Sequence, residues 1–200
     1  MTDAPASVLD DPRWHAFNSD GFACSCGQRH VGLFPITLQV PKGWTGDANY
    51  EPNEALRMDG DFLSFDYSVM EGKYFAMRMR LPLSIRGAEP AAFMYIVWAS
   101  LNRSDFETQV DLARRAQLRP NARAQGRLVN NLSGYDTSSG LLGSAFHQED
   151  GGYPVLLVHG PQPDNDPNHQ LINEQRNGIG VDRMLELFAA YGHDMRTPKS

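Results

Sequence analysis

The chain has 200 residues, 41% of them apolar and 21% charged, and a net charge of −6. That balance describes one domain long enough to bury a sizeable core, and the negative charge argues against broad nucleic-acid or anionic-membrane binding. There is no run of about 18 apolar residues to cross a membrane, no basic-then-apolar leader at the N-terminus, and too few cysteines (two) for a disulfide framework, so the expected compartment is the reducing cytoplasm.

Residues 1–20 carry Asp3, Asp10, Asp11 and Asp20 and are expected to be a flexible acidic start. One helical turn is expected around Pro12 to Phe17, with Trp14 and Phe17 docking on the body. Phe22 to Cys24 fits a short strand and Gly27 a turn. From His30 to Val40 no clean period emerges, and Pro35 and Pro41 interrupt it. Residues 41–60 read as irregular chain with a short helix near Asn53 to Met58.

The core begins at Phe62, where Phe62 to Tyr67 reads as a strand and Glu71 to Lys73 as a turn. Phe75, Met77, Met79 and Leu81 then alternate with Tyr74, Ala76, Arg78 and Arg80. A period of two marks a half-buried strand, here with its arginines facing out or towards a groove. Pro82 is expected to end its regular pairing. Phe93 to Leu101 is apolar on both faces and reads as a central strand. Ser104 and Glu107 form a capping box before a helix whose apolar stripe is Phe106, Val110 and Ala113, stopped by Pro120.

Residues 123–131 predict another strand, and 141–148 with 153–159 a hairpin around Glu149 to Gly152. Asp166 and Pro167 predict a helix start, with the helix ending near Gly178. A last helix runs over Val181 to Tyr191, faces Met184, Leu185 and Phe188 inward, and ends at Gly192. Strands dominate 62–159 without βαβ alternation. The expected fold is a single α+β domain over 21–192, a mixed or mostly antiparallel sheet packed by a central helix and two C-terminal helices, with a disordered tail over 193–200.

Chemistry concentrates in Cys24-Ser25-Cys26-Gly27-Gln28-Arg29-His30, which holds both cysteines. Thiolates and imidazole are preferred zinc ligands, and Cys24, Cys26 and His30 can converge around a turn at Gly27. A structural site needs four ligands, leaving His147, His159 or His169 to supply the last. In an extended strand the two thiols would stand about 6.5 Å apart, so a shared metal requires the backbone to bend. The plainer alternative is two small half-buried thiols beside a surface histidine. A third reading makes Cys24 or Cys26 a nucleophile with His30 as base and Arg29 favouring the thiolate.

Hydrolase, P-loop and dinucleotide signatures are absent. Arg114, Arg115, Arg119, Arg123 and Arg127 form a basic stretch, read as an anion site or as a solvated helix end. His169, Glu174, Gln175 and Arg176 line either a cleft or the wet face of a helix.

Four segments together resemble domain-of-unknown-function family 2199, a set of small bacterial proteins. Cys26-Gly27, His30, Gly32-Leu33 and Pro35 resemble its C-G-x-x-H-x-G-L-P opening, with Phe34 inserted. Phe93 to Leu101 resembles its F-x-W-G-V-W-V-S-L strand, with Tyr95 and Ile96 replacing Trp and Gly. Leu132, Gly134, Tyr135 and Thr137 resemble L-P-G-Y-x-x-T, one residue short and with Ser133 for Pro. His169, Leu171, Glu174, Gln175, Gly178 and Ile179 resemble H-P-L-A-x-E-Q-x-x-G-I, with Gln170 for Pro.

The resemblance implies no particular activity. It implies that members carry Cys-x-x-Cys where this chain has Cys-x-Cys, and it makes His169 the fourth ligand or cleft residue to join Cys24, Cys26 and His30. The leading expectation is a non-enzymatic binding or protein-interaction domain with a small structural zinc site. The alternatives are an enzyme using Cys24, Cys26 and His30 with His169 and Glu174, or an immunity-type protein that blocks a toxin.

Overall fold

The computed structural model describes residues 8–114, 123–148, 152–159 and 168–194. Its first elements are short: α1 (Pro12–His15), then the paired strands β1 (Phe22–Ala23) and β2 (Arg29–His30), then β3 (Ile36–Thr37). Asp11 caps α1 by accepting from the Arg13 amide. Trp14 and Phe17 are buried in the main core, as their spacing suggests. The irregular stretch that follows contains one 3₁₀ turn, Asn53–Ala55.

The sheet starts at β4 (Phe62–Leu63) and β5 (Tyr67–Met70). The sequence suggests one strand here. Instead, Ser64 Oγ accepts from the amides of Asp66 and Tyr67 and folds the chain into a hairpin. Glu71 (φ 54) and Gly72 (φ 64) turn it again into β6 (Tyr74–Ser84), which pairs along its whole length with β7 (Ala92–Leu101).

Pro82 does not end this pairing. The amides of Arg78 and Arg80 donate away from β7, to Asp66 and Pro154 carbonyls. Alternation puts the absent Pro82 amide on that same outer edge, so the proline removes no bond to β7.

After α2 (Arg103–Arg114) come β8 (Arg123–Leu128), β9 (Leu142–Phe146) and β10 (Val155–Val158). Pairing runs β7 to β8 to β9 to β10 and returns to β6, so the sheet closes in a barrel-like way. Most neighbours are antiparallel; β3 with β7 and β10 with β6 are parallel, which makes the sheet mixed. The proposed turn at 149–151, the helix stop at Pro120 and the residues 195–200 lie outside the described residues.

The start of α2 differs from expectation. Asn102 Oδ1 accepts from the Asp105 amide at 2.9 Å, and Asp105 accepts back from Asn102 Nδ2. The cap is therefore two residues earlier than Ser104, and Glu107 pairs with Arg103 instead. Inside the barrel, Phe75, Met77, Met79 and Leu81 meet Phe93, Tyr95 and Val97, and α4 (Val181–Ala190) adds Met184, Leu185 and Phe188.

The outer face of the β6–β7 hairpin is covered too. Arg78, expected to face out or towards a groove, is 5% exposed. Its guanidinium lies over the rings of Tyr50 and Trp98 and donates to Gln39 O and Tyr50 Oη. None of the described helices is long and apolar enough to cross a membrane.

Candidate metal centre

β1 and β2 pair Phe22 with His30 and Ala23 with Arg29. The strand stops at Ala23. Cys24 accepts at its carbonyl from the Gly27 amide and donates its own amide to Gln28 O, both at 2.9 Å. Gly27 sits at φ 87, in the left-handed region that this tight reversal needs. Gly21 (φ 68) is constrained from both sides, since a Cβ there would lie 2.5 Å from His30 O. The extended-chain separation of the two thiols therefore does not apply, because the backbone bends between them.

Ser25, between the cysteines, reaches the other end of the chain. Its hydroxyl donates to Gly192 O at 2.8 Å and accepts from the Asp194 amide at 2.9 Å, while its own amide donates to Asp194 O. Gly192 (φ 79) ends α4 with the His193 amide donating back to Phe188 O. These bonds hold His193 over the hairpin turn.

The result is a group of four: Cys24 Sγ, Cys26 Sγ, and one ring nitrogen each from His30 and His193, all within 4.8 Å of one another. Cys24 Sγ lies 3.6 Å from His193 Nδ1, and Cys26 Sγ 3.2 Å from His30 Nε2. Four ligands around a tetrahedral zinc, at bond lengths of about 2.0–2.3 Å, stand roughly 3.3–3.8 Å apart. The group can hold a metal ion after small side-chain shifts. Burial pushes the Cys24 thiol up and the His193 imidazole down, the latter helped by the charge of His30. A neutral imidazole is ready to ligate, and a metal would displace the thiol protons.

Phe34 backs both imidazoles, stacking on His30 at 4.3 Å and meeting the edge of His193 at 5.0 Å. The inserted residue of the family-like opening thus supports the ligands.

Of the four expected ligands, Cys24, Cys26 and His30 come together and His169 is not among them. The fourth place belongs to His193, the first residue of the expected disordered tail. Its one sequence signal was the helix-ending Gly192 immediately before it. His169 instead caps α3 (Gln170–Asn177): Nδ1 accepts from the Leu171 amide and Nε2 donates to Thr137 O. The helix start predicted at Asp166 and Pro167 lies outside the described residues. Among the other candidates, His159 bonds Ser144 Oγ and His147 is buried in a separate pocket.

The 169–176 segment is a brace. Glu174 accepts from Tyr135 Oη at 2.5 Å, Gln170 Nε2 at 2.7 Å and Arg183 Nε at 2.8 Å. Arg183 also donates to Gly134 O, and Gln175 ties Val158, Leu156 and Pro82. The two family-like segments around Tyr135 and Glu174 are thus neighbours bonded to each other. Burial, then Glu174, pushes the Tyr135 phenol far above its ordinary range.

Replacing Glu174 by Ala would leave the Tyr135 phenol without its carboxylate partner and the Arg183 guanidinium with only Gly134 O and Glu186, at a cost of about 2 kcal/mol. Glu174→Gln keeps the shape and the one oxygen that accepts from Gln170 and Arg183, while its amide can donate to Tyr135 Oη, and it is expected to cost about half as much. Urea unfolding midpoints of the two variants check the order.

The basic stretch is also used within the fold where it is described. Arg123 lies over Phe146 and Arg127 donates to Gly140 O. Arg114 ends α2, and Arg115 and Arg119 lie outside the described residues.

The family model described as uncharacterized protein conserved in bacteria matches residues 23–179. No curated protein and no solved structure matches the chain. The matched span contains Cys24, Cys26 and His30 of the four-residue group, and His193 follows it. The chain belongs to domain-of-unknown-function family 2199.

Proposed function

We propose that Cys24, Cys26, His30 and His193 form a structural zinc site that fastens the end of α4 to the β1–β2 turn, in a non-enzymatic binding domain. The observation that carries this reading is the convergence of four soft-to-borderline ligand atoms, within 4.8 Å, from residues 163 positions apart (193 − 30 = 163). Two thiolates and two imidazoles suit zinc, and a full set of four protein ligands leaves no open position for a substrate. Free thiols at such a site fit a reducing compartment.

One specific feature favours a second reading. Cys26 is exposed and its sulfur is 3.2 Å from His30 Nε2, a nucleophile-and-base distance. The larger catalytic assembly with His169 and Glu174 finds no support in the geometry, because the polar atoms of both are engaged by Leu171, Thr137, Tyr135, Gln170 and Arg183.

The test is elemental analysis of protein made in zinc-supplemented medium, beside a Cys24→Ser/Cys26→Ser double variant. The expected result is about one zinc per chain in the parent and less than about a tenth of that in the variant. Equal, negligible metal in both would end the zinc reading and leave Cys26 to be judged by its alkylation rate.

A further inference from the structure

We propose that a second site, the pocket where His147 meets Asp66 and Arg78, binds a small zwitterion: an α-amino acid with an apolar side chain. The pocket shares no residue with the metal group, so metal content and ligand binding succeed or fail separately. Its volume is about 350 Å³, at the small end of ligand sites and suited to a metabolite.

Several buried polar atoms at this pocket lack partners. His147 is 3% exposed, and neither ring nitrogen has a hydrogen-bond partner. Arg78 Nε is likewise buried and unpartnered. Native interiors rarely leave such groups unsatisfied, and both residues line this one pocket, where a bound molecule supplies the bonds once the two side chains shift towards it.

The charges define what that something is. Arg78 forms no ion pair with any described carboxylate; its guanidinium donates to Gln39 O and Tyr50 Oη, which do not neutralise it. Asp66 lines the same pocket and accepts from Asn53 Nδ2, again without a cation. Burial, then Asp66, pushes the Tyr153 phenol up and Arg78 draws it back, so both charges act on this one lining residue.

A simple anion entering here would face Asp66, and a simple cation would face Arg78. A ligand with a carboxylate at one end and an ammonium at the other satisfies both. Burial and the charge of Arg80 hold His147 neutral, with one N–H donor and one acceptor nitrogen. A zwitterion offers the complementary acceptor and donor. Met77 and Tyr67 supply the apolar wall for its side chain.

The test is isothermal titration of the full chain with L-leucine, L-valine, L-methionine and L-phenylalanine. Two leucine analogues serve as controls: 4-methylpentanoate, which lacks the ammonium, and 3-methylbutylamine, which lacks the carboxylate. At least one amino acid is expected to bind with Kd below about 1 mM, and each leucine analogue to bind at least about tenfold more weakly than leucine.

Asp66→Asn keeps the shape and is expected to weaken amino-acid binding at least about tenfold while narrowing the gap to 4-methylpentanoate. His147→Phe is expected to abolish binding; circular dichroism checks its fold, and Asp66→Asn carries the test should it fail to fold. Three results overturn the proposal: no amino acid binding below about 10 mM, 4-methylpentanoate binding the parent as tightly as leucine, or Asp66→Asn binding unchanged.

Discussion

Stripping zinc from the loaded protein is expected to lower its melting temperature by about 10 °C while leaving a folded core. The size follows from linkage. Free zinc at about a thousand times its dissociation constant stabilises the native state by about 4 kcal/mol, and in a chain of this length each kcal/mol moves the midpoint by about 2–4 °C. A zinc finger would unfold outright, because it has little else. Here the closed sheet buries Phe75, Met79, Leu81, Phe93, Tyr95 and Val97 without help from the metal.

His193→Ala should show the same fall when made in zinc medium, and chelation should then cause almost no further change. Calorimetry of both proteins with and without chelator reads this directly. If the parent melts at one temperature in both conditions, the metal does not staple the fold. The loss should also be local. Without the metal the segment after Ala190 is held to the turn chiefly by Ser25's bonds to Gly192 and Asp194, so protease sensitivity is expected to rise there first.

The parts of the fold that follow from local periodicity were legible in the sequence. The alternation of Phe75 to Leu81 and the two-faced apolar run of Phe93 to Leu101 lead to the long hairpin. Met184, Leu185 and Phe188 lead to the inner face of α4. What was not legible depends on atoms brought from far away. Arg78 reads as facing out or towards a groove, because nothing nearby in sequence announces that Tyr50 and Trp98 will sandwich it.

The metal group divides the same way. Cys24, Cys26 and His30 are local and visible, and their awkward spacing is resolved by the bend at Gly27, a turn the sequence does suggest. His193 is distant, and its place depends on the hydrogen bonds that Ser25 makes across the chain. His169 attracts attention for a sound reason, since its segment is bonded to the segment around Tyr135. The bond partners are structural, however: a backbone amide and a carbonyl.

Phe188→Ala is expected to cost about 3–5 kcal/mol and, unlike other core truncations of its size, to weaken zinc binding about tenfold as well. Phe188 is fully buried, with ring centroids 5.4 Å from Phe17, 4.7 Å from Phe34 and 4.8 Å from Phe93. Its truncation opens a cavity where four aromatic side chains meet. Phe34 is the one that touches both ligating imidazoles, so its loss of support loosens His30 and His193 together. The Phe188 carbonyl also receives the His193 amide, which ties the ligand to the same helical turn.

Phe106→Ala is the matched control. Phe106 is equally buried, but it projects from α2 against the rings of Tyr67 and Phe75, away from the Phe34 cluster. It should cost a similar amount of stability and leave zinc affinity unchanged. Competition with a zinc-binding dye measures the affinities, and urea unfolding the stabilities. In a cycle with His193→Ala, Phe188→Ala should show a coupling above about 0.5 kcal/mol and Phe106→Ala none. Equal zinc affinity in Phe188→Ala and the parent would mean that the aromatic cluster packs beside the metal group without positioning it.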